Sequence, residues 1–510
     1  MKHARVRSLA VISLIAVALA TGCGGSSTSS SGSTAPADAV PAGALLYADV
    51  NLDRNSTAWK QFATVGKRFP GWQRLVDNAV KSFNDSTSGE NYQDDIEPWL
   101  GDSAGVALTS LDIGGGSPNW VAFVASKDDA KAKDAINGGD THPDGEYNGY
   151  SQYVSTTDNT EIGIGNGAVI AASDTQTLHD AIDIRDGKAD SLAGVGTFKD
   201  AMSRLPADSL VRGYANPGAI AQLVSLAQLS GQSSPATQQQ LQAVTESLKW
   251  MDSASFAMLA NSGGYSTIFH VHIKDGADPG LYGSQSAANL TLPSLVLADA
   301  FLYLASKIDC AAFTKALDQG LAGSGAGQLS QLEQFTGISV ANDIVPIFSG
   351  ELLLYAAPGL PARGSLLLKP SDPDAAATGL RHIMAFVARS QPGLHIHDLP
   401  AGREGQSLEL SPGFTFTWER KPGGLIAIGN DTAAGSDTGQ SLLESPDYTS
   451  LLAKAEVPDG ATVAAFVSIP GILKLYPVEI DPNVRPLGGV LEWTNRDGNE
   501  ISVGIFVEVK

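Results

Sequence analysis

The chain has 510 residues, with 54 Asp and Glu against 33 Lys and Arg, for a formal net charge of -21. At 43% apolar and 17% charged residues it can bury substantial cores, which excludes wholesale disorder, and its length suggests roughly two to four domains. An acidic surface argues against nucleic acid as a partner, because a polyphosphate is bound through Lys and Arg, and two cysteines exclude a disulfide-dense scaffold and a four-cysteine zinc site.

Lys2, Arg5 and Arg7 precede an apolar run from Leu9 to Ala20, interrupted only by Ser13 and followed by Thr21, Gly22 and Cys23. A basic head, a short apolar core and small residues before a cleavage point are the parts of a secretory signal. The core is shorter than the roughly 20 residues a membrane span needs. Leu19 to Cys23 resemble the bacterial lipobox, with Ala20 where Leu is commoner, which implies cleavage after Gly22 and a diacylglyceryl group on the Cys23 thiol. Residues 1–22 are thus expected to be a lipoprotein signal peptide. Residues 23–39 are expected to be a flexible linker, since Gly24 to Ala39 are almost wholly Gly, Ser, Thr, Ala and Pro. Such a coil lets a folded body stand roughly 20 to 25 Å from the membrane. Cleavage removes Lys2, Arg5 and Arg7 and takes the net charge from -21 to -24. Anionic headgroups repel such a body, so the anchor has to supply the attachment.

Beyond the linker the chain echoes itself. Leu46, Tyr47 and Asp53 recur, at constant spacing, as Leu302, Tyr303 and Asp309. Asp95, Ile96 and Pro98 before Gly101 and Asp102 match Asp343, Ile344 and Pro346 before Gly350 and Glu351. Tyr214, Asn216, Pro217 and Gly218 correspond to Phe466, Ser468, Pro470 and Gly471, and Ile268 to Lys274 to Gly504 to Lys510. The expected organisation is two tandem homologous repeats, 40–275 and 292–510, joined by a linker at 276–291.

In the first repeat an apolar strand, Ala44 to Val50, leads into a helical stretch from Ala58 to Phe83, broken at Pro70 and Gly71 into two helices. Strands are predicted at Ala104 to Leu111 and Asn119 to Ala125, then a helix at Asp128 to Ile136. Tyr150 to Val154, Glu161 to Ile164 and Ala168 to Ala172 read as an antiparallel meander between Gly, Asn and Asp turns. Ser230 to Gln240 reads as a linker into a helix at Leu241 to Lys249. Strand runs with helices set between them define an α+β class, each repeat an antiparallel β-sheet packed with helices.

Tyr92, Asp95, Ile96, Pro98, Trp99, Leu100 and Gly101, after an opening Pro41, Leu45, Leu46 and Tyr47 and before the Phe198 to Pro206 segment, resemble the bacterial domain-of-unknown-function family 3352. The resemblance extends over nearly all of the chain beyond the signal. It weakens in the second repeat, where Ile347 and Phe348 stand in place of Trp99 and Leu100. The family is uncharacterised, so the resemblance implies an architecture and an extracytoplasmic address and carries over no catalytic residue. From the residues themselves, Pro98 stops a helix, Trp99 fills a core gap, and Gly101 permits a tight turn into the next strand.

Motifs of catalysis and ligation are sparse. The sequence has no Walker A segment and no His-Glu-x-x-His. Gly163, Gly165 and Gly167 lack dinucleotide-fingerprint spacing and read as a hairpin or bulge. Asp140, His142, Asp144 and Gly145 imitate the start of a calcium loop, but Pro143 and Ser151 spoil it. Among eight histidines, His270 with His272 and His395 with His397 are the weak metal candidates, since alternation on a strand puts each pair on one face. No third ligand is marked by spacing, and solvated strand residues are the reading adopted. Cys310, without an adjacent His, reads as a small buried hydrophobe.

These observations predict an extracytoplasmic lipoprotein, anchored at the cell membrane through Cys23, with no enzymatic activity and no cofactor. Its partners would be the membrane, through the lipid anchor, and a lipid, a glycan or an envelope protein. The alternative is a hydrolase whose catalytic set is scattered beyond the reach of spacing arguments.

Overall fold

The structure is a computed structural model that describes residues 35–86, 91–111, 117–137, 140–229, 241, 244–280, 289–311, 313–315, 331, 333–391, 393–411, 414–431, 440–475 and 479–510. Residues 1–34, with Cys23 and most of the expected linker, lie outside the described residues, as do Ser230 to Gln240. The chain divides into two compact units, one ending at Asp275 and the next beginning at Gly276.

The first unit contains the strands β1 (Leu46–Asn51), β2 (Leu100–Ser110), β3 (Asn119–Ser126), β4 (Thr141–Tyr147), β5 (Tyr150–Ser155), β6 (Glu161–Gly165), β7 (Ala168–Ala172), β8 (Val211–Ala215), β9 (Met251–Asn261) and β10 (Gly264–Ile273). Their pairings are antiparallel and give the spatial order β4-β5-β6-β7-β3-β2-β1-β8-β9-β10. The meander at one end is set by two Asn-Gly turns. Asn148 and Gly149 (φ 47° and 82°) join β4 to β5, and Asn166 and Gly167 (φ 51° and 74°) join β6 to β7. Positive φ at both central residues matches the right-handed twist of the flanking strands. The glycine series at 163, 165 and 167 is therefore a hairpin. The residues that imitate a calcium loop lie at and within β4, whose register slips between Pro143 and Gly145. The sequence reading missed this strand, because Pro and Asp are poor strand formers in isolation.

The helical stretch after β1 is two helices, Thr57–Gly66 and Trp72–Ser86, as Pro70 and Gly71 predict. Ser56 caps the first, its Oγ accepting from Trp59 N at 3.3 Å. Helix Asp129–Asn137 follows β3. One face of the sheet packs on helices Thr175–Arg185 and Gly196–Ser203 through Phe123, Leu178, Ile182 and Phe198. The other face is covered towards β6 and β7 by Phe83, Tyr92, Trp99 and Ala132.

The second unit contains β11 (Leu302–Ile308), β12 (Gly350–Ala357), β13 (Arg363–Pro370), β14 (His395–Asp398), β15 (Glu404–Ser411), β16 (Phe414–Arg420), β17 (Ile426–Gly429), β18 (Thr462–Ser468), β19 (Leu487–Asp497) and β20 (Glu500–Val509). Their order is β14-β15-β16-β17-β13-β12-β11-β18-β19-β20, antiparallel throughout. Position for position this is the strand order of the first unit. Helix Pro373–Ser390, capped by Asp372, packs Leu380 and Met384 against Leu368, Trp418 and Ile426.

Smaller features recur too. Tyr47 and Tyr214 face each other across β1 and β8 with the Phe198 ring edge-on to both, at 5.4 and 5.1 Å. Tyr303 and Phe466 face each other across β11 and β18 with Tyr448 beside them, at 6.3 and 5.4 Å. A single wide helical turn, Tyr92–Ile96, is closed by Asp95 Oδ2 accepting from Asn91 N at 2.7 Å. In the turn Val340–Ile344, Asp343 Oδ2 accepts from Ser339 N at 2.7 Å.

The segment that carries the family resemblance follows the first of these turns. Trp99 is buried against Phe83, Tyr92 and Leu100, as a core-filling residue. Gly101 does something other than turn the chain. It is the second residue of β2, and a Cβ there would stand 2.7 Å from Ala125 O, so its absent side chain allows two strands to approach closely.

Candidate functional site

The residues singled out by spacing are dispersed. His270 and His272 lie on β10, each half-buried, and His395 and His397 lie exposed on β14 with ring centroids 6.4 Å apart. Among the described residues no group of three or more His, Cys, Asp or Glu side chains is placed to hold a metal ion. Cys310 corrects the sequence reading: it is exposed, not buried. The apolar run ends with β11 at Ile308, and Cys310 opens a helical segment beyond Asp309. In the Cys23→Ala protein, Cys310 is expected to react with a thiol reagent at one equivalent without denaturant; a thiol that reacts only after unfolding would contradict the exposed position.

A polar stripe binds helix Thr175–Arg185 to the meander. Thr175, His179 and Asp183 recur every four residues and so share one helix face. Thr175 Oγ1 donates to Glu161 Oε1 at 3.0 Å, and the His179 ring stacks on Tyr147 at 3.8 Å with its Nε2 2.8 Å from Gln152 Nε2. Tyr147 OH donates to Asp183 Oδ2 at 2.8 Å. Burial raises the Glu161 carboxyl above its ordinary value, and its Oε2 has no partner among the described residues. These contacts fasten helix to sheet. An open cavity of about 650 Å³ lies at the far end of the same helix, lined by Asp38, Arg185, Asp190 and Ser191. Arg185 there is held over the Phe123 ring at 4.9 Å and donates to Asn166 O at 2.8 Å.

The most extensive unusual surface is apolar. In most antiparallel sheets the face away from the core is polar. Here the face opposite Tyr47 and Tyr214 carries Leu46, Phe269 and Met258 at 43%, 42% and 46% exposure, and the face opposite Tyr303 and Tyr355 carries Leu304, Leu354 and Ile505 at 45%, 44% and 37%. Sequence reasoning did not find this surface. β12 is apolar at both parities from Leu352 to Ala357, which signals burial on both faces, and periodicity alone cannot say how far each face is covered.

The chain is thus an α+β protein of two units, each organised on one antiparallel sheet of ten described strands. Residues 6–256 match the model of the family described as "Protein of unknown function (DUF3352)". That match ends within β9 and is narrower than the near-complete coverage read from the residues, in keeping with the replacement of Trp99 and Leu100 by Ile347 and Phe348 in the second unit. No curated protein matches the chain. Three similar solved structures are crystal forms of TP0453. Form I is 11% identical with a TM-score of 0.27, covering 49% of this chain and 82% of that one. Form III is 9% identical with a TM-score of 0.26, at 48% and 82%, and form IV 9% identical with a TM-score of 0.26, at 47% and 81%. Among the described residues no helix is long and apolar enough to cross a membrane.

Proposed function

We propose that the chain is an exported lipoprotein, tethered through Cys23 to the extracytoplasmic face of the cell membrane, whose folded part is a non-enzymatic binding module. The observation that carries the binding role is the set of exposed apolar side chains on one sheet face of each unit, Leu46, Met258 and Phe269 in the first and Leu304, Leu354 and Ile505 in the second, since apolar patches mark interaction sites. The tether is supported by the basic head, short apolar core and lipobox-like segment that end at Cys23. It is supported too by the spacer composition of Gly24 to Thr34; the end of the expected linker is different, because Pro36–Ala39 form a short helical turn with Ala37 and Ala39 buried in the first unit's core. The two units are read as tandem repeats of one fold, a reading supported by their common strand order, the paired aromatic clusters and the turns closed by Asp95 and Asp343.

The tether has a direct test. Cys23→Ala is expected to abolish incorporation of radiolabelled palmitate and to release the protein from the membrane fraction on flotation. Continued incorporation and flotation of that variant would overturn the assignment.

A further inference from the structure

The two Asn-Gly turns of the meander have the same sequence and the same backbone form, yet they hold their glycine nitrogens differently. Between β6 and β7 the Gly167 amide donates to Asp129 Oδ2 at 3.0 Å, and Asn166 O accepts from Arg185 Nη2 at 2.8 Å. That turn is fastened from both sides. Between β4 and β5, Asn148 and Gly149 are both exposed. The Gly149 amide has no acceptor among the described residues, and a Cβ on Gly149 would meet nothing within 4 Å. The Asn148 side chain donates from Nδ2 to Asp183 Oδ1 at 2.7 Å, an exposed bond that water can replace. Asp183 also accepts from Tyr147 OH and from Lys188 Nζ, each at 2.8 Å.

We propose that Asn148 is a site of spontaneous deamidation and that Asn166 is protected from it. The co-reactant is water. The Gly149 nitrogen gives up its proton to solvent base and attacks Asn148 Cγ; a C–N bond forms, the Cγ–Nδ2 bond breaks, and ammonia leaves carrying a proton from water. A second water opens the cyclic imide at either carbonyl, which restores the N–H and leaves an aspartate or an isoaspartate with one more negative charge. At Gly167 the first step is opposed twice: the Asp129 carboxylate disfavours an amide anion beside it, and the bond between them holds the nitrogen away from Asn166 Cγ. The product at position 148 has a consequence for the seam between helix and sheet. A carboxylate only accepts, so the bond to Asp183 is lost and two like charges face each other, with Lys188 offsetting part of the repulsion. Tyr147 joins the same Asp183 and stacks on His179, so the change loosens helix Thr175–Arg185 from the β4–β5 hairpin.

The test is peptide mapping by mass spectrometry, with fragment ions assigning each position, of the full-length Cys23→Ala protein aged at mildly alkaline pH in native buffer and, in parallel, in concentrated urea. A third pair, Asn137 and Gly138, is read separately, since Gly138 lies outside the described residues. In the native protein, conversion at Asn148 is expected to run about tenfold or more ahead of conversion at Asn166, the factor that one hydrogen bond to a charged group is worth. In urea the two rates are expected to converge, because the folded neighbours alone distinguish the turns. Asp129→Ala is expected to raise the rate at Asn166 and leave that at Asn148 unchanged, with far-UV circular dichroism checking the fold; the comparison of native protein with urea needs no variant. Equal native rates at the two turns, or a faster rate at Asn166, would overturn the proposal. So would a difference between the turns that persists in urea, because local sequence and not the Asp129 contact would then set it. Asn148→Asp is expected to unfold at lower urea than the parent, by a margin that shrinks in high salt; an unmoved transition would overturn the effect on the seam.

Discussion

Arg212→Ala is expected to destabilise the first unit by about 3 kcal/mol, measured as an earlier unfolding transition of the full chain in urea. Asp49 on β1 is buried and directly opposite Arg212 on β8, with Nε and Nη2 each 3.0 Å from its two carboxylate oxygens. Tyr47 OH donates a third, longer bond at 3.3 Å. Removing the guanidinium strands a charge in the sheet, and such breakage costs more than the pair contributes when intact. The Arg212 side chain is 38% exposed, so water partly replaces it and the lower end of the usual range applies. Burial already raises the Asp49 carboxyl even with Arg212 in place, so the folded state holds that proton more tightly than the unfolded chain does. The loss in Arg212→Ala should therefore be full at neutral pH and shrink as the pH falls through the raised value towards the ordinary carboxylate range. Asp49→Leu combined with Arg212→Leu should recover most of the stability. A single-variant loss under about 1 kcal/mol, the size of a solvated surface pair, would sink the argument.

Gly379→Ala is expected to destabilise the second unit by about 2 kcal/mol. In an exposed helix the same change gains about 1 kcal/mol from propensity, so the predicted sign is reversed. The reason is contact: a Cβ on Gly379 would stand 2.2 Å from Asp343 O. Helix Pro373–Ser390 rests there on the turn Val340–Ile344, and His382 Nδ1 lies 2.8 Å from Asp343 Oδ1. A backbone carbonyl in a closed turn cannot rotate aside as a side chain can, so the helix has to lift from Ile347 and Leu368 and loosen that core. Urea unfolding followed by tryptophan fluorescence reads the change, since Trp418 belongs to the same core. A stabilised variant would mean that the helix does not rest on the turn.

Much of the fold was legible because its signals are local. Pro70 and Gly71 break one helical pattern into two, and Asn166 with Gly167 closes a hairpin by backbone preference alone. The paired Asp95 and Asp343 landmarks stood out because each closes a turn within its own few residues. Strand β4 was hidden, because its pairing with β5 overrides the poor strand propensity of Pro143 and Asp144. Gly101 was misread because its neighbour is Ala125, distant in sequence. Cys310 was misread because an apolar run predicts burial without saying where the strand stops. The candidate surface was hidden for a related reason: whether Leu304 and Leu354 are covered depends on which helix passes over them.

The strand order also governs when the sheet can form. β1 is the first strand along the chain, yet it ends between β2 and β8, with Leu46 opposite both Leu108 and Ala215. Its second neighbour therefore exists only after the whole meander and two further helices have been made. Contacts of such sequence separation slow folding, because loop entropy is lost before any pairing compensates for it. A chain leaving the ribosome would keep the edge of β1 unpaired until β8 emerges, and the second unit repeats the delay with β11 and β18. Under the export proposed above, this late closure would leave β1 without its second partner while the chain is still being threaded.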